Sequence, residues 1–459
     1  MKFPKYISLF PVILFVFFAA CNLQEPEITQ TTLSTNEQKM LSRLMAVGDN
    51  IISGYQNAAL TEKHQRRSFV ALIAKQAETP DFQQPYFAYP GIGSESYGGY
   101  GTLELRYLDD PNTPQTKVPD PKIYAVAFDS VPGFDPLNPY LNDDVRNWPL
   151  PYNNLGIPGI VVQDVLIGKT KLHSISHSPM FEYILRNPLP EPYSGEYSAF
   201  DQAKFFTPTV LLCWVGMYDV LGFAQYSTST PALSQPTPKE DFKQYYAQLM
   251  DSLASIALVG VVTANIPDIL DMPYFNVVPH VVIDSVTNTP LLDDQGNPIP
   301  LIGVEDGDRV LMPAKFAIKQ GYGIPEGILN GNGEPVPDDM VLDAAEIAQV
   351  EQAISDYNAI IDSVCSVRNI SVVDMYYFFK QINDGYQIAG ATLTSDFITG
   401  GFYSLDGIHP SDLGHALIAN EWIQVINSAF RISIPPVDVV QFMHDLQPML
   451  QSDTSAIRY

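Results

Sequence analysis

Three short segments of the sequence combine glycines with side chains that bind ligands or exchange protons. They are Gly48–Gly54, Gly216–Asp219 and Asp406–Pro410, and each falls at or near the carboxyl end of an apolar run. Open α/β sheets bind their ligands at the carboxyl ends of the strands. Within the third segment, Asp406 and His409 are three residues apart, a spacing that permits one side chain to hold the other. We therefore expect the three segments to meet in one ligand site.

The elements that must position these segments follow from hydrophobic patterning. Apolar runs alternate with stretches of helical periodicity, which is typical of a parallel sheet wrapped by helices. The predicted strands are Leu44–Val47, Thr209–Val215, Leu258–Asn265 and Ile370–Met375. The predicted helices are Leu60–Ala77, Asp241–Ile256, Leu342–Val364 and Pro410–Ile426. The pattern predicts an α/β fold with three layers, a sheet between two layers of helices.

A fourth segment, Asn154–Gly159, is a glycine turn that can bring backbone N–H groups close to a ligand. In chain order, the four segments resemble the four blocks of the SGNH hydrolases, the GDSL family of esterases and lipases. The resemblance runs from about Leu44 to Asn427. Further segments resemble a branch of that family found as exported bacterial lipoproteins: Ala264–Asp268, Val341–Glu346 and Phe402–Asp406. The resemblance implies a flavodoxin-like sheet and an acyl ester or acetylated glycan as substrate.

The family's chemistry uses a serine nucleophile after the first strand, a histidine base, an aspartate that orients it, and an oxyanion site. The resemblance assigns the base to His409, its orienter to Asp406 and the oxyanion glycine to Gly159. The nucleophile position is occupied by Asn50, and the position of the oxyanion asparagine by Tyr218. Two of the four signature side chains are therefore absent.

These two replacements affect the expected activity. An amide cannot be deprotonated to attack an ester near neutral pH, and loss of a serine nucleophile costs on the order of 10⁶ in turnover. Loss of an oxyanion donor costs roughly 10²–10³. We expect an ester-hydrolase relative with impaired catalysis. If hydrolysis remains, water would attack, with the amides of Gly159 and Asn50 as oxyanion donors. The alternatives are a protein that binds a ligand without catalysis, or a structural lipoprotein.

Several other side chains have competing interpretations. Ser53 lies one helical turn after Asn50 and could replace the nucleophile, while Ser404 is most simply a loop hydroxyl. The pair of Asp406 and His409 could instead cap the last helix. His173 and His177 are spaced as on one helix face, but no third ligand accompanies them, so we predict a solvated helix face, no metal and no cofactor. The remaining cysteines, Cys213 and Cys365, are predicted to be buried.

The amino terminus has the layout of an export signal. Lys2 and Lys5 precede an apolar run, Ile7–Phe18, and Ala19-Ala20 stand before Cys21. This arrangement resembles the bacterial lipobox, in which the cysteine is acylated, and the alternative is an ordinary signal peptide with a free thiol. We expect a signal peptide at residues 1–20, a lipid on Cys21, a polar tether at 21–38 and a location in the bacterial cell envelope.

Charge and chain organisation complete the expectations. The chain has 51 acidic and 25 basic residues, a net charge of −26, so nucleic acid is an unsuitable partner because its phosphates would be repelled. The main domain is predicted at residues 39–431, with insertions at about 80–152 and 285–340 and a surface extension at 432–459. The first insertion is rich in tyrosine and could be an aromatic platform for a ligand or a cover for a sheet edge.

Overall fold

A parallel sheet of five strands lies at the centre of the chain in the computed structural model. Its strands are β1 (Met45–Gly48), β2 (Asn154–Gly156), β3 (Val210–Trp214), β4 (Gly260–Ala264) and β5 (Ser371–Val373). They lie in the order β5-β4-β3-β1-β2. The structure describes residues 32–93, 101–106, 109–110, 113–117, 122–125, 135, 138–141, 143–187, 195–226, 234–284, 287 and 289–452. The sheet confirms the predicted α/β class.

Side chains of the central strand β3 show how the layers are built. Trp214 contacts Phe69 and Trp422 on one face of the sheet, at ring-centroid distances of 5.9 and 6.0 Å. The preceding residue, Cys213, points to the other face, because successive strand residues alternate. There, Tyr246 bonds Thr263 of β4 at 2.8 Å. Helices therefore cover both faces of the sheet, and its strands are apolar and buried throughout.

The helices alternate with the strands along the chain. They are α1 (Thr35–Leu41), α2 (Asn50–Ser53), α3 (Glu62–Gln65), α4 (Phe69–Gln76), α5 (Asp143–Arg146), α6 (Asp164–Ile167), α7 (Phe181–Leu185), α8 (Ala199–Phe206), α9 (Tyr218–Tyr226), α10 (Lys239–Ile256), α11 (Ala314–Lys319), α12 (Ala344–Arg368), α13 (Met375–Gly385), α14 (Asp412–Phe430) and α15 (Val439–Ser452). Helices α4 and α14 pack on each other, as do α10 and α12.

The predicted strands and long helices are present, with two differences. The predicted helix Leu60–Ala77 is wrong as one element, because α3 ends before Ser68, whose hydroxyl caps α4 by accepting the Ala71 N–H at 3.3 Å. The edge strand β2 was expected as a turn. It pairs with β1 in the register Ala46 to Asn154, so its extended form depends on its neighbour in the sheet.

Short two-stranded antiparallel pairs lie outside the central sheet. The paired strands are Ala59–Leu60 with Ile92–Gly93, Leu103–Arg106 with Lys122–Ala125, Asp109–Asp110 with Thr113–Lys117, Ile283–Asp284 with Thr289–Pro290, Arg309–Val310 with Val341–Leu342, and Tyr386–Ile388 with Ala391–Leu393. Short 3₁₀ helices lie at Lys171–His173, Ile269–Asp271, Pro273–Phe275 and Asp338–Met340. A separate apolar cluster joins the second insertion to its flanking residues and is formed by Val278, Val282, Leu301, Val310, Ala314, Ile324, Val336 and Val341.

The tyrosine-rich insertion is described only in part. Tyr86 and Tyr140 are buried in a small cluster with Val145. The Tyr86 ring also lies 4.1 Å beneath the Arg66 guanidinium. These two tyrosines therefore pack against the domain. The other tyrosines of this segment include Tyr97, Tyr100 and Tyr107, which lie outside the described residues.

Both ends of the domain extend beyond the predicted bounds. The compact unit that contains the sheet begins at Leu33, and α1 starts within the predicted tether, with Ser34 and Glu37 forming a capping box. The expectation that the extension lies on the surface is wrong for its first residues, since Ile432 and Ile434 are buried. Cys21 lies outside the described residues. Within those residues, no helix combines the length and apolar character that a bilayer span requires.

Candidate active site

The turn after β1 positions Asn50. The Asp49 N–H donates to the Trp214 carbonyl at 3.1 Å, and the Asp49 carboxylate accepts the Ile51 N–H at 3.3 Å, which caps the short helix α2. Glycine is required at position 48, because a Cβ there would lie 2.0 Å from the Trp214 oxygen. The close approach of β1 to β3 therefore brings Asn50 to the carboxyl edge of the sheet.

The Asn50 side chain bridges two of the predicted site residues. Its Oδ1 accepts the Gly159 N–H at 2.6 Å, and its Nδ2 donates to the Tyr218 hydroxyl at 3.3 Å. Asn50 is 2 % exposed, whereas Gly159 and Tyr218 are partly exposed. The structure thus brings these three residues together, and the N–H of Gly159 bonds to the chain's own amide.

Two buried carboxylates hold the loop that carries Gly159. Asp219 accepts the Val162 N–H at 2.9 Å and the Thr237 hydroxyl at 2.8 Å. Asp164 accepts the Ile175 N–H at 2.7 Å. Burial raises the pKa of both carboxyls, that of Asp219 to about 7. Sequence reasoning did not assign these supports. For Asp219, the sequence offered one indication, its position next to the predicted site residue Tyr218.

Asp406 and His409 form the pair that their spacing permits. The imidazole Nδ1 lies 3.0 Å from Asp406 Oδ2. The carboxylate also accepts the N–H groups of Ile408, His409 and Ala58 at 2.8–2.9 Å. Because Asp406 Oδ2 is a hydrogen-bond acceptor, Nδ1 carries a proton, and in the neutral imidazole Nε2 is the acceptor. Nε2 is buried and has no hydrogen-bond partner among the residues that the structure describes.

The charge state of Asp406 is set by opposing effects. Burial raises its pKa, but the facing His409 and the backbone hydrogen bonds outweigh burial and hold the pKa below its usual value. The carboxylate is therefore ionised at neutral pH and can orient the imidazole. The Tyr55 ring meets His409 edge-on at a centroid distance of 4.9 Å, so apolar contact as well as hydrogen bonding fixes the imidazole.

The Asp406–His409 loop is covered by Tyr274, which precedes the second insertion, and by Met312 within it. The Tyr274 N–H donates to the Gly407 carbonyl at 3.0 Å, and the Met312 N–H donates to the Tyr274 carbonyl at 2.9 Å. A Cβ on Gly407 would lie 2.3 Å from the Met312 methyl carbon, which is the movable end of a flexible side chain, and the φ of +72° favours glycine at this position. His409 is 3 % exposed.

The alternative residues have structural contacts. The Ser53 hydroxyl donates to the Asn50 carbonyl at 2.7 Å and is buried. The Ser404 hydroxyl accepts the Asn57 N–H at 3.0 Å, as expected of a loop hydroxyl. The helix-face interpretation of His173 and His177 is wrong, because the 3₁₀ helix ends at His173 and His177 has a φ of +51° outside it. Among the described residues, no three His, Cys, Asp or Glu side chains are grouped to hold a metal.

The remaining cysteines are buried, as predicted. Cys213 lies in β3 and Cys365 in α12. Burial raises the pKa of both thiols, that of Cys365 to about 11. Both are therefore protonated at neutral pH and inert toward oxidation or acylation in the folded chain.

Comparison with known proteins identifies the family of the chain. The family model of GDSL-like lipases and acylhydrolases matches residues 44–422. The lipase/acylhydrolase of Enterococcus faecalis is 12 % identical, with 86 % of this chain and 98 % of that chain covered and a TM-score of 0.32. The extracellular lipase of Streptomyces rimosus is 12 % identical, with 84 % and 98 % covered and a TM-score of 0.31. No curated protein matches the sequence. Because the family model matches most of its length, this chain belongs to the family of GDSL-like lipases and acylhydrolases.

Proposed function

We propose that this chain is a lipid-anchored member of the family in which ester hydrolysis is impaired at Asn50. The observation that carries the proposal is the pair of hydrogen bonds from the Asn50 amide to Gly159 and Tyr218. At the position where the family resemblance requires a hydroxyl, the chain has an amide. The oxygen of that amide also accepts the Gly159 N–H, which is the group that would donate to the oxyanion.

Serine-dependent hydrolysis needs three events at once. A hydroxyl gives its proton to an imidazole nitrogen, its oxygen bonds the ester carbon, and N–H donors bind the oxyanion that results. In this chain the Asp406–His409 pair keeps a proton acceptor at Nε2. Asn50 offers no group that loses a proton near neutral pH. No covalent acyl intermediate forms at this position.

A slow route through water remains chemically balanced. His409 Nε2 takes a proton from water, the resulting hydroxide oxygen bonds the ester carbon, and the same proton passes to the leaving alkoxide, which gives an acid and an alcohol. The Asn50 side chain would have to rotate away before the Gly159 N–H could bind the oxyanion. Residual rates of roughly 10³–10⁴ over water survive the loss of a triad, which sets the upper range for this route.

A second candidate function is ligand binding without catalysis. It is favoured by the buried Nε2 of His409, which has no hydrogen-bond partner in the described ranges of the chain, since a buried polar atom without a partner costs about 1–3 kcal/mol. A ligand hydroxyl donating to Nε2 would remove that cost. The ligand class is the family's, an acyl ester or an acylated glycan.

The anchoring part of the proposal concerns Cys21. We place the lipid on its thiol, which attaches the domain to a membrane of the bacterial cell envelope, with no nucleic acid as partner. The test uses the chain recovered from the membrane fraction of a bacterial host. We expect a mass that includes acyl groups and no thiol that reacts in the folded state, because Cys213 and Cys365 are buried. One rapidly reacting thiol would show an unmodified Cys21 and contradict this part.

The hydrolytic part is tested with p-nitrophenyl acetate and butyrate on the full chain in detergent. The parent is compared with Asn50→Ser, Ser53→Ala and His409→Ala, and with the double variant of Asn50→Ser and His409→Ala. We expect an inert parent, and activity in Asn50→Ser that disappears in the double variant. A parent as active as Asn50→Ser, with that activity lost in Ser53→Ala or His409→Ala, would overturn the proposal, because the slow route through water does not reach that rate. An inert Asn50→Ser would also contradict it, because position 50 would then not be the missing element.

A further inference from the structure

A second histidine–aspartate pair lies beside the first. His64 Nδ1 is 2.8 Å from Asp412 Oδ1, and Arg67 Nη1 is 2.9 Å from Asp412 Oδ2. The Gln56 amide donates to the same carboxylate at 2.5 Å. Burial raises the pKa of Asp412, but His64, Gln56 and Arg67 outweigh it and hold the pKa well below its usual value. Asp412 is therefore an ionised acceptor, and His64 Nδ1 carries a proton.

Asn57 connects this pair to the loop of Asp406. Its Nδ2 lies 3.3 Å from His64 Nε2, and its Oδ1 accepts the Leu405 N–H at 2.9 Å. Its own N–H donates to the Ser404 hydroxyl at 3.0 Å. The next residue, Ala58, donates its N–H to Asp406 Oδ2 at 2.9 Å. Asn57 has a φ of +52°, a left-handed conformation that asparagine tolerates better than most residues.

The orientation of the Asn57 amide depends on the charge of His64. Leu405 presents only a donor, so the amide oxygen must face it and the amide nitrogen must face His64. In neutral His64, Nε2 is an acceptor and both bonds form. In protonated His64, Nε2 becomes a donor that opposes the amide nitrogen. A flip of the amide restores the bond to His64, but the amide nitrogen then faces the Leu405 N–H, and two donors cannot bond. One of the two hydrogen bonds is therefore always lost.

We propose that Asn57 is a positioning residue that transmits the protonation state of His64 to the Leu405–Asp406 backbone and so to His409. With His64 neutral, three hydrogen bonds from the Asn57–Ala58 turn hold residues 404–406 in place, and Asp406 faces the His409 imidazole. With His64 protonated, the Leu405 bond weakens or breaks. The inference concerns the geometry of the pair and holds whether or not the chain hydrolyses an ester.

Other charges also act on His64, and the test must separate their effects. Asp412 contacts His64 from α14 and also binds Arg67. His415 of the same helix lies within electrostatic range of His64 as well as of Asp406 and His409. A charge on His64 could therefore perturb His409 directly through space. Replacement of Asn57 separates the two effects. It removes the hydrogen bonds that link His64 to Leu405 but leaves every one of these charges in place.

The experiment is an NMR pH titration of the full chain in detergent, with labelled histidine and leucine. It follows the Leu405 backbone amide and the Cε1 proton of His409 in the parent, Asn57→Ala, Asn57→Asp, His64→Gln and His173→Gln. In the parent, both reporters are expected to show a step at the midpoint of the His64 titration. His64→Gln removes that step. His173→Gln, at an exposed site, leaves it unchanged.

The Asn57 variants decide the mechanism. Asn57→Ala removes the relay, so the step at the His64 midpoint disappears from both reporters. Aspartate also tolerates the left-handed conformation, so Asn57→Asp provides a second test if the alanine variant fails to fold. Its two carboxylate oxygens accept from Leu405 and from protonated His64 together, so the step at Leu405 disappears. The proposal is overturned if the parent shows no step, or if the step keeps its size in Asn57→Asp.

Discussion

The side-chain oxygen of Asn50 accepts the backbone N–H of Gly159 at 2.6 Å. An amide oxygen is a hydrogen-bond acceptor like the carbonyl oxygen of an ester, so under the proposed function Asn50 takes the donor that a substrate would use. The second bond, to the Tyr218 hydroxyl, holds the amide in place. Under the proposed function, Asn50 both replaces the nucleophile and occupies the oxyanion donor, so a single substitution at this position tests both roles.

We predict the outcome of covalent labelling from this arrangement. A fluorophosphonate reacts with an activated serine, and no serine of the parent chain is expected to react. The Ser53 hydroxyl donates a hydrogen bond to the Asn50 carbonyl, and the Ser404 hydroxyl accepts one from the Asn57 N–H. Neither hydroxyl is bonded to a base. In Asn50→Ser, we expect one phosphonate per chain at residue 50, located by peptide mass spectrometry. Loss of this label in the double variant with His409→Ala is the control. A label on Ser53 of the parent would contradict the prediction.

The fold was largely predictable because its signals are local. The runs that became β1, β3, β4 and β5 are apolar on both faces, which is typical of strands in a covered parallel sheet. The contact of Asp406 with His409 was also accessible, since three residues separate them. The edge strand β2 was not, because Asn154 and Gly156 have low strand propensity and are extended only through pairing with β1.

The arrangement around Asn50 could not be predicted from spacing. Gly159 and Tyr218 are 109 and 168 residues away, so their contacts depend on how three strand ends meet. A family resemblance aligns such residues with roles but says nothing of a hydrogen bond that a replaced side chain makes. The supports from Asp164 and Asp219 are of the same kind. They depend on the path of the Gly159 loop, which has no periodic pattern.

Asp406→Asn is expected to destabilise the fold as well as the imidazole. The carboxylate accepts from four donors, two at each oxygen. An amide nitrogen at either position would oppose two N–H groups, and a buried donor without an acceptor costs about 1–3 kcal/mol. We expect the free energy of unfolding in urea to fall by at least about 2 kcal/mol. Asp396→Asn, at an exposed loop, is the matched control and should change stability by less than about 0.5 kcal/mol. Equal stability of Asp406→Asn and the parent would contradict this account.

Asp49 predicts a dependence of stability on pH. Burial raises the pKa of its carboxyl from 3.8 to about 8, and its Oδ2 has no hydrogen-bond partner in the described part of the chain. The folded chain binds this proton more tightly than the unfolded chain does. Its stabilising contribution is therefore complete below pH 3.8 and is lost as the pH rises through about 8.

Asp49→Asn should remove that loss. The amide oxygen can keep the cap on Ile51, and the side chain is neutral at every pH. We expect the free energy of unfolding to decline less between about pH 4 and pH 8 than in the parent, by at least about 1.4 kcal/mol, the equivalent of one pKa unit. Asp294→Asn removes the same charge from an exposed turn and should leave the decline unchanged. Parallel pH profiles of Asp49→Asn and the parent would refute the prediction.

Alanine at two glycines separates steric clash from backbone strain. At Gly48, the added Cβ would lie 2.0 Å from the Trp214 carbonyl oxygen, so β1 would have to move away from β3. At Gly159, φ is +83° but the nearest heavy atom would be 3.8 Å away, so alanine meets only the left-handed conformation. We expect Gly159→Ala to lower the free energy of unfolding by about 1–2 kcal/mol. Gly48→Ala should cost more than about 3 kcal/mol, because strand separation adds lost packing to strain. Urea denaturation of both variants measures the difference, and similar losses at the two sites would show that the approach of β1 to β3 is looser than the distance indicates.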